Sequence, residues 1–188
     1  MSVTLLPASG HRQVQWKNGG GVTTELVLRP DGASAATFDW RLSIATVGRD
    51  GAFSVFPGVD RSLMALSPQG LGLVDNGHQV NLHQYGVHRF AGENEVAAVG
   101  VTAPTLDLNL MTRRAAFTGE LHYVDLADEQ VIGTASGTAV VVMLSGSLSF
   151  RGQLLRPHDS VLIENGQADF VGEAGVAVAT LFCASGCR

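Results

Sequence analysis

The chain predicts an all-β protein, a sandwich or barrel, and three observations carry that prediction. Turn signals recur at short intervals: Pro30-Asp31-Gly32, Gly48-Arg49-Asp50-Gly51, Phe56-Pro57-Gly58, Ser67-Pro68-Gln69-Gly70, Asp75-Asn76-Gly77, Gly92-Glu93-Asn94, Ser145-Gly146 and Glu164-Asn165-Gly166. Between them lie short runs rich in Val, Leu, Ile, Thr and Phe, and Asn-Gly among alternating segments is a strong hairpin signal. No stretch sustains a 3.6-residue apolar period over three capped turns; Asp125 to Ile132 allows a short helix at most.

Bulk properties narrow the function classes. At 188 residues there is room for one large domain or two small ones, and 45% hydrophobic against 15% charged residues favours a sizeable core over disorder. A net charge of -5 with no basic stripe argues against nucleic acid and against a membrane surface as partner. No apolar run approaches a membrane-spanning length, and Met1 to Trp16 lacks the basic-then-apolar pattern of a signal peptide. Cys183 and Cys187 are too few for a disulfide framework or a four-ligand zinc site. The expectation is a cytoplasmic protein with reduced thiols, Cys183 ending a buried strand and Cys187 on a tail.

The first element opens on a glycine turn. Trp16-Lys17-Asn18-Gly19-Gly20-Gly21 joins a wide aromatic, a cation, an amide and three glycines, then feeds a strand from Val22 to Leu28. Glycine lets backbone approach a neighbour closely, so this turn reads either as one wall of a small-molecule pocket or as a plain hairpin with an exposed Lys. Asp39 to Thr46 is a strand with Asp39, Arg41, Ser43 and Ala45 on one face and Trp40, Leu42, Ile44 and Thr46 on the other. Phe53 to Arg61 and Leu71 to Val74 follow. In Leu106 to Met111 the leucines share one face, and Asp107, Asn109 and Met111 share the other. The two polar rows either face solvent, as is common in antiparallel sheets, or point inward and line a barrel mouth.

The remaining stretch, Ala139 to Phe182, is more apolar. Val140 to Leu144, a Ser-Gly turn, Leu148 to Phe150, the turn Pro157-His158-Asp159 and Val161 to Ile163 lead to a closing strand from Val176 to Phe182. That rhythm resembles the second half of a cupin barrel, and Phe53 to Val74 carries a looser version of it. Two such segments imply a bicupin: two cupin-like β-barrels or jelly rolls packed in one compact chain. The expected division is a pocket-bearing barrel over 1–115 and a second barrel over 116–188, with strands shared near the boundary.

The residue patterns also narrow the site chemistry. The six histidines (His11, His78, His83, His88, His122 and His158) include no His-x-His pair, and Ser54, Phe56 and Asp60-Arg61 stand where a cupin's paired histidines would fall. No metal and no cofactor are therefore expected. There is no Gly-x-Ser-x-Gly elbow, no activated-thiol context and no phosphate-binding glycine motif. Ionic recognition remains: Arg41 and Arg61 sit in otherwise apolar strands and Lys17 on the glycine turn. A guanidinium suits a carboxylate bidentately. Alternatively, Asp39, Asp60, Asp107 or Glu25 pair with these arginines inside the barrel.

Four motifs in order carry a specific resemblance. They are Trp16-Lys17-Asn18 with Gly21, Thr24 and Glu25; Trp40-Arg41 with Ser43-Ile44-Ala45; Gly51-x-Phe53-Ser54-x-Phe56-Pro57-Gly58-x-Asp60-Arg61; and Asp107-x-Asn109-x-Met111-Thr112-Arg113. Together they resemble the HutD/Ves family, and the glycine turn is of the HutD kind. The resemblance implies a metal-free bicupin associated with histidine utilisation, and a ligand-binding pocket of Trp16, Lys17, Asn18, Thr24, Glu25, Arg41, Ser43, Arg61 and Asn109. Arg61, Arg41 or Lys17 would meet a carboxylate. Asn18 and Asn109 would serve a formyl or formimino group, Glu25 an imidazole or imine N–H, and Trp16 would stack on a planar ring.

Three functions follow as expectations. The first is binding of a small anionic metabolite (urocanate, formimino- or formyl-glutamate) as a sensor or regulator. The second is a metal-free hydrolase or isomerase using Glu25 or Asp60 as general base. The third, by analogy with the Ves branch, is a stress-associated interaction protein. The chain is expected to be a monomer or homodimer.

Overall fold

A computed structural model of the chain describes residues 1–16 and 20–184, so Lys17, Asn18 and Cys187 lie outside the described residues. Among the described residues nearly all regular structure is β, and the one helical turn is the 3-10 segment Ala8–Gly10. The strands, in chain order, begin with β1 (Ser2–Leu6). Ten follow: β2 (Arg12–Gln15), β3 (Gly21–Arg29), β4 (Trp40–Val47), β5 (Gly51–Ala52), β6 (Val59–Ala65), β7 (Leu71–Asp75), β8 (His78–Leu82), β9 (Val87–Ala91), β10 (Val96–Val99) and β11 (Thr105–Arg113). The chain continues with β12 (Phe117–Leu126), β13 (Glu129–Phe150), β14 (Gln153–Leu154) and β15 (Ser160–Cys183). No described helix is long and apolar enough to cross a membrane.

The chain divides into two compact units, Arg12–Thr118 and a second formed by Met1–His11 with Gly119 onward. β1 groups with the C-terminal strands because it pairs with β15.

The unit Arg12–Thr118 holds two antiparallel sheets, one ordered β2-β3-β4-β11-β6-β9 and one ordered β5-β10-β7-β8. Asn76 and Gly77 both take positive φ between β7 and β8, the conformation that the two-residue hairpin turn demands. Leu63, Ala65 and Phe90 of the larger sheet form a core with Leu71, Leu73, Val96 and Ala98 of the smaller one. Residues directly opposite on paired strands share a face. Register therefore decides which side chains stand beside that core. Asp107 lies opposite Ala45 and Ala65, Asn109 opposite Ser43 and Leu63, and Met111 opposite Arg41 and Arg61. Both polar rows anticipated from the sequence fall on this one face. Its reverse carries Leu42, Ile44, Leu108 and Leu110, also buried.

In the second unit the middle of β13 is paired on both sides by β15: Val140 opposes both Leu162 and Ala179. The core joins Val141, Met143, Phe150, Val161, Ile163, Phe170, Val176 and their neighbours. Two expected turns are corrected here. Ser145-Gly146 lies inside β13 and Asn165-Gly166 inside β15; with Gly146 at φ 85° and Asn165 at φ 51° the chain bends without leaving the sheet. The helix allowed at Asp125–Ile132 does not form either. Val124, Leu126 and Ile132 bury at strand positions on either side of a turn at Ala127-Asp128, so the two-residue period prevails. Cys183 ends β15 but is exposed; burial stops at Leu181.

Candidate functional site

Where the polar rows converge, the first unit encloses a cavity of about 520 Å³. Its walls are strand residues: Thr23 on β3, Arg41 and Ser43 on β4, Arg61 on β6, and Asp107, Asn109 and Met111 on β11. Its mouth is formed by Trp16 before the glycine turn and by Phe53, Ser54 and Phe56 of the segment between β5 and β6. Gly21 has no room for a side chain. A Cβ there would stand 2.2 Å from the Thr46 carbonyl oxygen and 3.2 Å from the Trp16 indole, a clash with backbone that no rotamer relieves. Trp16 in turn donates its indole N–H to Thr23 Oγ1 (2.7 Å) and meets Phe53 edge-on at 6.3 Å.

Arg61 is the best-held charge in the site. Its guanidinium lies over three rings, Phe90 at 4.8 Å, Phe53 at 5.6 Å and Phe56 at 5.8 Å, and donates from Nη1 to the Ser54 carbonyl at 3.3 Å. Cation–π contact is worth more in such a desolvated place than at a surface. The Phe53–Phe56 segment is itself clamped. Glu93 accepts from the Gly58 N–H (2.6 Å) and from Arg114, which also pairs with Asp60.

The electrostatics are unusual for a structural core. Desolvation lowers Arg61 to about 10, with repulsion from Arg41 adding to the shift and Asp107 opposing it. Desolvation also lowers Arg41, against the pull of Glu25. Burial pushes Asp107 up to about 7, Arg61 opposing. Arg41 Nε lies 3.3 Å from Glu25 Oε2, but its N–H is not aimed at that oxygen. Four buried polar atoms of the cavity residues have no hydrogen-bond partner among the described residues: Nε of Arg41, Nε of Arg61, Oδ1 of Asp107 and Oδ1 of Asn109. Buried polar atoms are almost always paired, and these four belong to residues that line one cavity.

Of the residues carried over by resemblance, Trp16, Arg41, Ser43, Arg61 and Asn109 line the cavity, and Glu25 stands behind Arg41 as its ion-pair partner. Thr24 does not. It opposes Ile44 on the reverse face, and Thr23 takes the inward position. Asp60 also stands outside: adjacent to Arg61 it points the other way, and it pairs with Arg114. Asp107, Phe53, Phe56 and Met111 are lining residues that the carried-over set omitted. Asp107 was legible as the row-mate of Asn109. Among the described residues no group of three or more His, Cys, Asp and Glu is placed to hold a metal ion; His88 instead bonds Asp75 at 2.8 Å and stacks on Phe90.

Comparison with known proteins agrees with this fold. The HutD family model matches residues 8–180. Protein Ves of Cronobacter sakazakii is 34% identical over 155 residues, covering 80% of this chain and 81% of its own. An uncharacterised 21.2 kDa protein from the hutC 3' region of Pseudomonas putida is 33% identical over 122 residues, 64% of each chain. The solved structure of HutD from Pseudomonas fluorescens, obtained in a formate condition, superposes with a TM-score of 0.84 at 26% identity over 98% of this chain and 100% of that one. For the fold alone, a cupin 2 conserved barrel domain protein from Leptotrichia buccalis matches at a TM-score of 0.58 and 7% identity, over 91% and 92% of the two chains.

Proposed function

The chain belongs to the HutD family, and on that premise we propose that it binds a small anionic metabolite of histidine catabolism as a sensor or regulator of histidine utilisation. Urocanate, formiminoglutamate and formylglutamate are the candidates. The observation that carries the proposal is the set of four unpartnered polar atoms on Arg41, Arg61, Asp107 and Asn109 around one cavity. The hutC-region setting of the P. putida relative supports the pathway. Each hydrogen bond to a charged group is worth about 1.5–3 kcal/mol. Two guanidiniums therefore supply a large share of the ~8 kcal/mol that micromolar binding requires. Asn109 offers the amide that a formyl or formimino group needs, and Trp16 and Phe53 flank the mouth as platforms for a planar ring.

Titration calorimetry of the purified protein with each of the three compounds tests this, with the ligand assayed afterwards for chemical change. Saturable binding of an intact ligand, weakened at least tenfold in Arg61→Ala, is expected. Absence of binding to all three would withdraw the histidine-pathway assignment and leave only the fold likeness. One observation favours turnover as a second reading: Asp107 is a cavity carboxyl held near neutral pH, as a general base must be. Ligand consumed during the titration, and spared in Asp107→Asn, would establish that reading instead.

A further inference from the structure

The charges around the cavity do not match an anionic guest as they stand. Arg41 is neutralised by Glu25, its ion-pair partner. Arg61 has Asp107 as its coulombic partner. With Asp107 ionised the described walls carry no net charge, and a carboxylate pushed into the cavity would face another carboxylate in a poorly solvated space. With Asp107 protonated the walls carry one positive charge, and Asp107 becomes a hydrogen-bond donor. Such donors make short, strong bonds to anionic oxygen.

We infer that the cavity takes up its anionic ligand together with one proton, carried on Asp107, which selects for a ligand presenting a carboxylate to an acid–carboxylate hydrogen bond beside the Arg61 guanidinium. This rests on the small-anion reading above and adds the protonation state and the residue that sets it. Geometry puts Asp107 in this role: it is buried, its Oδ1 has no partner among the described residues, and it shares its face with Asn109 and Met111. Its surroundings leave few rivals. Among the described residues Arg61 on β6 is the charged group that acts on it, and Arg41 on β4, which acts on Arg61, is engaged by Glu25 on β3. The small sheet meets this region with Leu71, Leu73, Val96 and Ala98. Asp75 of β7 is occupied by His88 of β9 and by Asn94. A carboxyl already raised to about 7 is half protonated near neutrality, and an arriving anion raises it further.

The test is calorimetry with N-formyl-L-glutamate at pH 6, 7 and 8, each in two buffers of different ionisation enthalpy. The carboxylates of that probe stay ionised throughout. For a group titrating at about 7, the protonated fraction falls from about 0.9 at pH 6 to about 0.1 at pH 8. Affinity is therefore expected to weaken about tenfold over that range, with proton uptake rising toward one per anion. Asp107→Asn is expected to bind with pH-independent affinity and no uptake. Binding without proton uptake overturns the inference and leaves the small-anion reading standing, whereas no binding at any pH overturns both. A tenfold pH dependence that survives in Asp107→Asn assigns the proton elsewhere and also overturns it. Should that variant fail to fold, the two-buffer measurement on the native chain decides alone.

Discussion

Asp107 shows how one buried carboxyl makes stability depend on pH. Its folded value, about 7, stands above the ordinary 3.8 that it regains on unfolding. Between those values the folded chain holds a proton that the unfolded chain has released, so stability falls as pH rises through that window and the loss is complete above about 7. The native protein thus carries a cost at neutral pH for a residue that packing alone would fill with an apolar side chain. Asp107→Asn removes the titration. It is expected to raise Tm relative to the native chain by more at pH 8 than at pH 5, the two increments differing by about 5 °C for a chain of this size. Equal increments at both pH values, read by thermal denaturation, would mean that Asp107 is ionised in the folded protein. The same residue marks a limit of reading by motif. Resemblance supplied Thr24 and the enzyme reading offered Asp60, yet the two-residue period of a strand places Thr24 opposite Glu25's face and Asp60 opposite Arg61's. The alternation in 106–111 pointed to Asp107 by the rule that turns those two away from the cavity.

At the scale of elements, legibility followed periodicity. Strands with mixed rows, β4 and β11, were readable because Arg41, Ser43, Asp107 and Asn109 alternate cleanly with apolar partners. Sequence alone cuts β13 and β15 too short, because Ser145-Gly146 and Asn165-Gly166 look like hairpin turns, whereas pairing resumes past each bend after a register shift, Ser145 and Gly146 opposing Gly175 and Ala174 and Gly166 opposing Thr134. Local chemistry cannot distinguish a bend from a turn; that depends on partners distant in sequence. The glycine turn is the opposite case, where a local signal has a local cause. Gly21 has the Thr46 carbonyl within 2.2 Å and the Trp16 ring within 3.2 Å of any added Cβ. Gly21→Ala is expected to separate β3 from β4 at this end and displace Trp16. It should cost about 1–3 kcal/mol of stability and weaken ligand affinity in step. Indole fluorescence reports the displacement directly, and an unshifted Trp16 signal with native affinity would show that the turn tolerates a side chain.

For the whole molecule, the distribution of chemistry between the units is uneven. Every residue lining the large cavity belongs to Arg12–Thr118, while the core of the other unit is built from apolar strands such as Val140-Val141-Val142 and Val176-Ala177-Val178. The same asymmetry is legible in composition: polar rows in strands of the first half, near-continuous apolar runs in the second. The stabilising cores and the binding chemistry should then respond separately to mutation. Ile163→Val removes one methylene from a fully buried position in the second unit and is expected to lower stability by about 0.5–1.5 kcal/mol, leaving ligand affinity within twofold. Leu63→Ala, at a position shared by the core and the cavity wall of the first unit, should cost about 2–5 kcal/mol and weaken binding as well, because Leu63 faces Asn109 across the sheet. Denaturant titration with calorimetry on both variants separates the two effects. A loss of affinity in Ile163→Val comparable to that in Leu63→Ala would show that the site depends on the packing of both units, and would end the assignment of binding to Arg12–Thr118 alone.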